Sequence, residues 1–472
     1  LGVFVLRMQF SHPLAQYPGP LLARFTNLYA AYHAWRGTLH TDIYRCHQKY
    51  GKIWAPERLT ADGEEILATD VHSRGENCTK SKAYRALVHG AVNTLTATSH
   101  KEHGWRGRIL SLAFSDAQAQ SYQEILLRNI DLFCNNLQES IGTGPTDMAK
   151  ECDALTFDVT CEVVFGTRWN ALVNHKYRSV TKAIEASNVR VSTRVQSTAL
   201  TVERLDKYLF PRAIEGRGEF LGFIGSVLSM REKGPSTNTG NIFSFLENAK
   251  DPESGNGRML SPVQLRAECA TLIAAGSDTS STTLAATLYY LAANPAAYRR
   301  AQAETLQAFP GISSEIELRI LKRACIDEAL RMSPPVGGAL WREVGPGGIT
   351  VDGLHLREGI DVGTGIYSLH HSEVYHRQPF SYLPERWLGG GAWTKVEMAQ
   401  ARAAFVPFSV GPRGCVGKGL AYHELMLALA KVLHRVDFRH ADDHEAAGEY
   451  LLSDHVTGAK TGPFLVFSSS RV

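Results

Sequence analysis

Residues 408–417 read Phe408-Ser409-Val410-Gly411-Pro412-Arg413-Gly414-Cys415-Val416-Gly417, and an amphipathic run from Leu420 to Val432 follows at once. A cysteine placed this way is confined to one geometry, a glycine-lined loop at the mouth of a helix. Glycines carry no Cβ, so backbone amides can close on the sulfur and donate hydrogen bonds that stabilise its charge. The helix N-terminus adds partial positive charge. A thiolate presented like this suits an axial position on haem iron, and Arg413 can face a haem propionate. The competing reading is a buried, inert cysteine, the ordinary fate of a cysteine in a core. Five specified positions in ten residues argue against it.

The chain has 472 residues, 44% of them hydrophobic and 21% charged, enough to bury a large core. Length alone would allow about three domains. However, there is no long Gly/Ser or Pro-rich tract, charge block or internal repeat to divide them. The turn-rich stretch from Lys233 to Gly257 is interrupted by a helical piece, Ile242 to Ala249, and reads as a surface connection between helices. A formal charge of +3 gives no nucleic-acid signature. The eight cysteines form no CxxC pair and point to a reducing compartment. Asn77-Cys78-Thr79 is formally a glycosylation sequon and reads as an unmodified surface turn.

The first residue is Leu, and Leu1 to Leu6 is apolar but far shorter than the roughly 20 residues a bilayer span needs. With His12-Pro13 and Tyr17-Pro18-Gly19-Pro20 behind it, the expectation is a trimmed membrane anchor and proline-rich hinge over residues 1–20. One catalytic domain then covers 21–472. An ordinary apolar arm docked on the body is the alternative.

Apolar spacing of three and four marks helices at Gln118–Leu137, Ala154–Phe165, Pro262–Ala293, Ala296–Ala308, Glu315–Met332 and Leu420–Leu433. Short strand-like pieces fall near Lys52–Ala68, Ile349–Val362 and Tyr450–Phe467. The fold class is mainly α with small β-sheets, an α+β arrangement with the sheets at its margins.

The longest of these helices carries Ala274-Ala275-Gly276-Ser277-Asp278-Thr279 at its centre. Glycine there costs about 1 kcal/mol against alanine, and Ser, Asp and Thr compete for backbone hydrogen bonds. Rule-breaking of this kind is expected where function requires it. The helix is expected to open at this point, leaving an unpaired carbonyl and a groove. Thr279 offers a hydroxyl and Asp278 a proton source, a pair suited to stepwise proton delivery. A kinked core helix with a polar face is the other reading. Downstream, Glu328 and Arg331 lie on one helix face and can pair, although an exposed pair of this type is worth only about 0.3–0.5 kcal/mol.

Taken together, these segments resemble the cytochrome P-450 family of haem-thiolate monooxygenases. Phe408 to Gly417 carries every fixed position of its haem-thiolate signature, Ala275 to Thr279 its oxygen-activating motif, and Glu328 to Arg331 its ExxR helix. Pro384-Glu385-Arg386-Trp387 matches the arginine motif that follows, and all lie in family order across nearly the whole chain. Leu369-His370-His371 ahead of Pro384 is similar to fungal, microsome-anchored members that tailor secondary metabolites.

The resemblance implies a cytochrome P-450 fold with haem b (iron protoporphyrin IX) bound through Cys415. Phe408, Gly411 and Gly417 would line the cofactor from the thiolate side, and Ala275 and Gly276 from the other. Glu328, Arg331 and Arg386 would form a buried triad that holds the cysteine loop, and breaking one partner would cost about 3–5 kcal/mol. Arg413 and Arg342 would meet propionates. For a third cation the sequence departs from the family pattern: four residues after His103 stands Gly107, and four after Trp105 stands Ile109. Arg106 or Arg108 could substitute from the same helix; His103 and Arg108 are assigned there, while a solvated basic face is the stronger reading for Arg106.

The resemblance further implies O2 as cosubstrate and electrons from NADPH through a flavoprotein reductase, NADPH-cytochrome reductase, since this chain shows no flavin or dinucleotide segment. Lys418 and Arg413 mark the docking face. Anchoring would place the protein at the endoplasmic reticulum membrane with its catalytic domain in the cytosol. A small hydrophobic substrate would be walled by Tyr84 to Thr98, Ala274, Val336, Gly337, Ala339, Leu340 and Thr457. Gly337-Gly338-Ala339 reads equally as a roomy pocket or as tight backbone packing. Two rival functions share these motifs: radical coupling or peroxide isomerisation at the same haem, and a non-catalytic haem sensor.

Overall fold

The computed structural model describes residues 14, 17–54, 59–61, 71, 77–88, 90–197, 199–200, 205–233, 240–250, 259–308, 320–351, 353–389, 393–442 and 448–470. The N-terminal segment read as an anchor therefore lies mostly outside the described residues. Among the described residues, no helix is long and apolar enough to cross a membrane.

The body is built around one helix, Pro262–Ala293. Its start is fixed by the chain itself: Ser261 and Gln264 form a reciprocal capping box, and Pro262 occupies the first turn, where its missing N–H is no loss. Beside it runs Met148–Phe165, buried along almost its whole length. Gly276 permits the approach, because a Cβ there would lie 2.9 Å from the Thr160 methyl. Thr156 donates to the Ser277 carbonyl at 2.7 Å across the same crossing.

Helices Arg178–Gln196 and Pro211–Lys233 pair over this core. Neither was expected, nor were Leu28–Arg36 and Leu39–Tyr50. In Pro211–Lys233 four glycines lower helix propensity, which is why the run did not read as a helix. Packing accounts for at least one of them: a Cβ on Gly216 would sit 2.8 Å from the Ala183 carbonyl oxygen of the paired helix. Two other expectations need correction. The helix anticipated over Gln118–Leu137 is broken at Tyr122 into Asp116–Ser121 and Gln123–Glu139. The piece Ile242–Glu247 is no surface connection, since Ile242, Phe243 and Leu246 are buried and Arg231 stacks on Phe243 at 4.3 Å.

On the far side, Ile320–Met332 and Lys418–Arg435 pack together, with the Tyr422 hydroxyl donating to Asp327 at 2.7 Å. The largest sheet runs Ile53–Trp54, Leu59–Ala61, Asp361–Gly363, Arg342–Val344, Cys78–Lys80. Its register sets Lys80 directly across from Arg342. A second sheet orders Thr146–Asp147, Phe464–Ser469 and Val436–His440, and a hairpin pairs Ser453–His455 with Thr457–Ala459. Cys78–Lys80, Thr146–Asp147 and Val436–His440 went unread in the sequence, because strands of two to five residues carry little alternation and owe their existence to distant partners.

Candidate active site

The Cys415 loop turns on two left-handed residues, Ser409 and Gly411, and closes through the Cys415 N–H, which donates to the Phe408 carbonyl at 2.9 Å. Helix Lys418–Arg435 begins directly after Gly417. Seven of the eight cysteines are buried; Cys415 alone is exposed. Burial nonetheless pushes its thiol up, while the amides of Gly417 and Lys418 and the Lys418 ammonium pull the other way. Both facts fit a sulfur that opens into a cleft and is surrounded by protein elsewhere. The Phe114 ring lines the same spot, 3.7 Å from where a Gly417 Cβ would be.

Beside the loop gather cations that have no counter-charge among the described residues. Arg413 donates to the carbonyls of Ala97 and Thr98 at 2.5 and 3.2 Å, tying down the loop ahead of helix His100–Ala113. Arg342 is buried and donates to the Trp341 carbonyl. Lys80, 9% exposed, lies over the Tyr84 ring at 4.4 Å. Burial, then Arg342 and Arg413, push Lys80 well below its usual range. Burial and the same cations bring His103 down to about 4. Among the described residues no carboxylate pairs with Lys80, Arg342 or Arg413. Buried charges without partners are costly, so this cluster is built to receive anions.

Lys80 escaped the sequence reading because it sits on a three-residue strand far from any motif. Of the two helix residues assigned to this role, His103 faces the cluster, whereas Arg108 is exposed and forms no ion pair among the described residues. Arg106 is no solvated face: it is 1% exposed and bonds Glu268 of the central helix at 2.8 Å. Glu268 also accepts from the Thr94 amide at 2.8 Å, so this pair pins the Tyr84–Thr98 loop to the central helix.

The central helix runs unbroken through Ala274–Thr279, so the expected opening is not seen. The Ala275 carbonyl accepts the Thr279 hydroxyl at 2.8 Å instead. Ala275 is exposed in the middle of this otherwise largely buried helix. Asp278 turns to the C-terminal hairpin, where it bonds Thr457 and lies 3.9 Å from Lys460. Asn188 reaches it at 3.5 Å. Burial raises the Asp278 carboxyl, with Lys460 and Thr457 opposing. One residue past Thr279, Ser280 meets Glu424, a buried acid that burial raises to about 8. Glu424 lies about 10 Å along its helix from Gly417 at the usual rise per residue, which brings the cysteine loop and the Asp278-Thr279 segment to one region.

Glu328, Arg331 and Arg386 are each 0% exposed. Arg331 grips Glu328 through two bonds of 2.9 and 3.1 Å, and Arg386 approaches it at 3.3 Å. Trp387 adds a third donor at 2.9 Å. Burial would raise the Glu328 carboxyl, yet the two guanidiniums outweigh it and hold it low. From this triad a chain of contacts leads to the cysteine. Arg331 donates to the His370 carbonyl at 2.9 Å, the His370 ring accepts from the Val406 amide at 3.1 Å, and the Val406 carbonyl accepts from Ser409 at 3.0 Å. Burial keeps His370 neutral, which that acceptor role requires.

Of the expected substrate walls, Ala274, Val336, Ala339 and Leu340 are partly open. Gly337 and Gly338 serve tight packing: a Cβ on each would lie 3.1 Å from His40 and 2.7 Å from Asp454. Thr457 is engaged with Asp278 and Asn188.

A reachable sulfur ringed by amide donors, and unneutralised cations beside it, fit the iron and the two propionates of a haem. A family profile described as Cytochrome P450 matches residues 17–447. The cytochrome P450 monooxygenase poxM of Penicillium oxalicum is 46% identical over 99% of this chain and 92% of its own length. The cytochrome P450 monooxygenase atnE of Emericella nidulans is 40% identical over 100% and 95%. AKT7 of Alternaria alternata, also a cytochrome P450 monooxygenase, is 39% identical over 99% and 95%. With this likeness running the length of the chain and the thiolate loop intact, the chain belongs to the cytochrome P450 family of haem-dependent monooxygenases.

Proposed function

We propose that this protein hydroxylates a small hydrophobic metabolite of fungal secondary metabolism, using haem b held by Cys415. The observation that carries the reading is the Cys415 sulfur, exposed where the seven other cysteines are buried. When bound, cysteine-ligated haem supplies oxygen activation, its thiolate favouring O–O cleavage. The chain's own residues bind and orient around that chemistry. Arg342, Arg413 and His103 would hold the propionate edge, with Lys80 beside them. Asp278 holds a proton more readily than a free aspartate and stands next to Thr279, whose hydroxyl rests on the Ala275 carbonyl and would turn from it to pass one on. The triad fixes the loop that bears the sulfur.

Electrons come from NADPH through a flavoprotein reductase that docks near Lys418. Placement at the endoplasmic reticulum membrane, facing the cytosol, is supported by exposed apolar side chains: Leu21, Leu22, Leu28 and Trp35 on one segment, Tyr208 and Leu209 on another. Both segments meet the end of helix Arg178–Gln196, through Asn27 with Ser197 and Asp206 with Arg190.

The first test is the carbon monoxide difference spectrum of the reduced protein, with Cys415→Ala as control. An unchanged Soret band in that variant overturns the assignment. A type-I spectral screen then finds a substrate, and labelled dioxygen decides between hydroxylation and radical coupling, since only hydroxylation carries the label into product.

A further inference from the structure

Asp278 needs a supply of protons, and its surroundings contain an acid that neither the family motif nor the spacing of residues pointed to. Helices Met148–Phe165, Arg178–Gln196 and Pro262–Ala293 meet the C-terminal hairpin around a cavity of about 10 Å³. That is close to the smallest volume in which one water fits. Asp153, Glu185, Asp278 and Lys460 all line it.

The three carboxylates are not equivalent. Asp153 is claimed by Lys460 at 2.6 Å and by the Ser281 hydroxyl at 2.5 Å, so it is locked in a pair. Lys460, only 4% exposed, is held charged by Asp153 and Asp278 against the effect of burial. Among the described residues Glu185 has no such tie, and Lys460 and Lys182 act on it only as nearby charges. It is exposed to solvent on one side and lines the cavity on the other. Burial of its carboxyl, then repulsion from Asp153 and Asp278, raises its proton affinity, as burial does for Asp278. An acid that touches bulk water and shares with a second acid the lining of one water's worth of space has the layout of a proton entry.

We propose that Glu185 is the outer end of the path by which protons reach Asp278, through the one-water cavity between them. The Glu185 O–H bond breaks and its proton passes to the intervening water. That water gives up one of its own protons to the Asp278 carboxylate, forming an O–H bond there, and bulk water reprotonates Glu185. No electron moves, and one solvent proton is taken up per transfer. Glu185 touches no reacting atom and acts only through Asp278. Asp153 is already engaged by Lys460 and Ser281, so it is not the acid that faces the cavity unpaired. This inference rests on the reading that Asp278 delivers protons.

The test uses the holoenzyme with reductase and a substrate found by its type-I shift, comparing Glu185→Gln, Glu185→Asp and Asp278→Asn. Glu185 is exposed, so thermal unfolding of its variants is expected to match the native protein. In Glu185→Gln the share of reducing equivalents that reaches product should fall about tenfold, with hydrogen peroxide released instead, and the solvent isotope effect should rise. Glu185→Asp should recover most of the product share. Independently of turnover, an infrared pH titration of the resting holoenzyme should show one carboxyl that titrates above the free-glutamate range and is lost in Glu185→Gln. A native product share and native isotope effect in Glu185→Gln overturn the inference. If Asp278→Asn is impaired while Glu185→Gln is not, this path alone fails; if Asp278→Asn is itself native, the parent reading fails with it.

Discussion

Replacing Lys80 with methionine should move the haem-free and haem-bound proteins in opposite directions. Lys80 stands directly across paired strands from Arg342, and like charges so placed cost about 0.2–1 kcal/mol. It is also 9% exposed with no carboxylate partner among the described residues, and a buried polar group left unsatisfied costs about 1–3 kcal/mol. Methionine has similar length and no charge, so the haem-free chain should gain about 1–3 kcal/mol, read from its urea midpoint. The sign depends on pH. Lys80 is depressed in the fold relative to its ordinary 10.5, so its cost is fully present below the folded value and fades as pH climbs toward 10.5. The variant's advantage should therefore shrink as pH rises and vanish near 10.5.

With haem bound, Lys80 would give a propionate a charge-assisted hydrogen bond worth about 1.5–3 kcal/mol, which the same change would remove. That corresponds to about a 10- to 100-fold loss of affinity, measured as faster transfer of haem to an excess of scavenging apoprotein. A variant that keeps haem as long as the native protein, or whose haem-free form loses stability, refutes the reasoning.

Glu328→Gln leaves Arg331 and Arg386 buried without their anion and should cost about 3–5 kcal/mol along with most of the bound haem; native denaturation midpoints and haem content in this variant contradict the triad's role. Glu424, raised to about 8, binds its proton more tightly folded than unfolded, so its contribution is intact below about 4.5 and is lost as pH rises through 8. Glu424→Gln should therefore gain stability over the native protein from pH 5 to pH 8, and parallel stability curves across that range rule out the assignment.

The parts of the site that could be read from sequence were those made by one short segment. The Cys415 loop, its glycines and the following helix are neighbours in the chain, and Glu328 with Arg331 needs only helical spacing. Arg386 was attached to them by resemblance, and the fold adds the physical reason: all three are dry, so the pairing is obligatory. The route onward from Arg331 through His370 to Val406 and Ser409 could not be foreseen, because it depends on backbone groups of three segments meeting.

The residues that went unread share one property. Lys80, Glu268, Glu424 and Lys460 are ordinary charged residues outside every motif, and each gains its role from a partner on a distant segment. Arg106 illustrates the error this causes, since a basic helix residue looks solvated until Glu268 is known to bury it. Gly337 and Gly338 were ambiguous for the same reason. A missing Cβ means either open space or close approach, and here it is His40 and Asp454 that approach.

The chain alone determined what local physics can dictate: helix starts such as the Ser261–Gln264 capping box, the tight glycine-bearing turn at Cys415, and the mainly helical class. Those depend on backbone sterics and hydrogen bonds within a few residues. Tertiary structure decided where charge accumulates without neutralisation, which acids lose their water, and which one keeps a side open to solvent. Desolvation and Coulomb interaction act between segments far apart in sequence, so they take values only once the segments are packed.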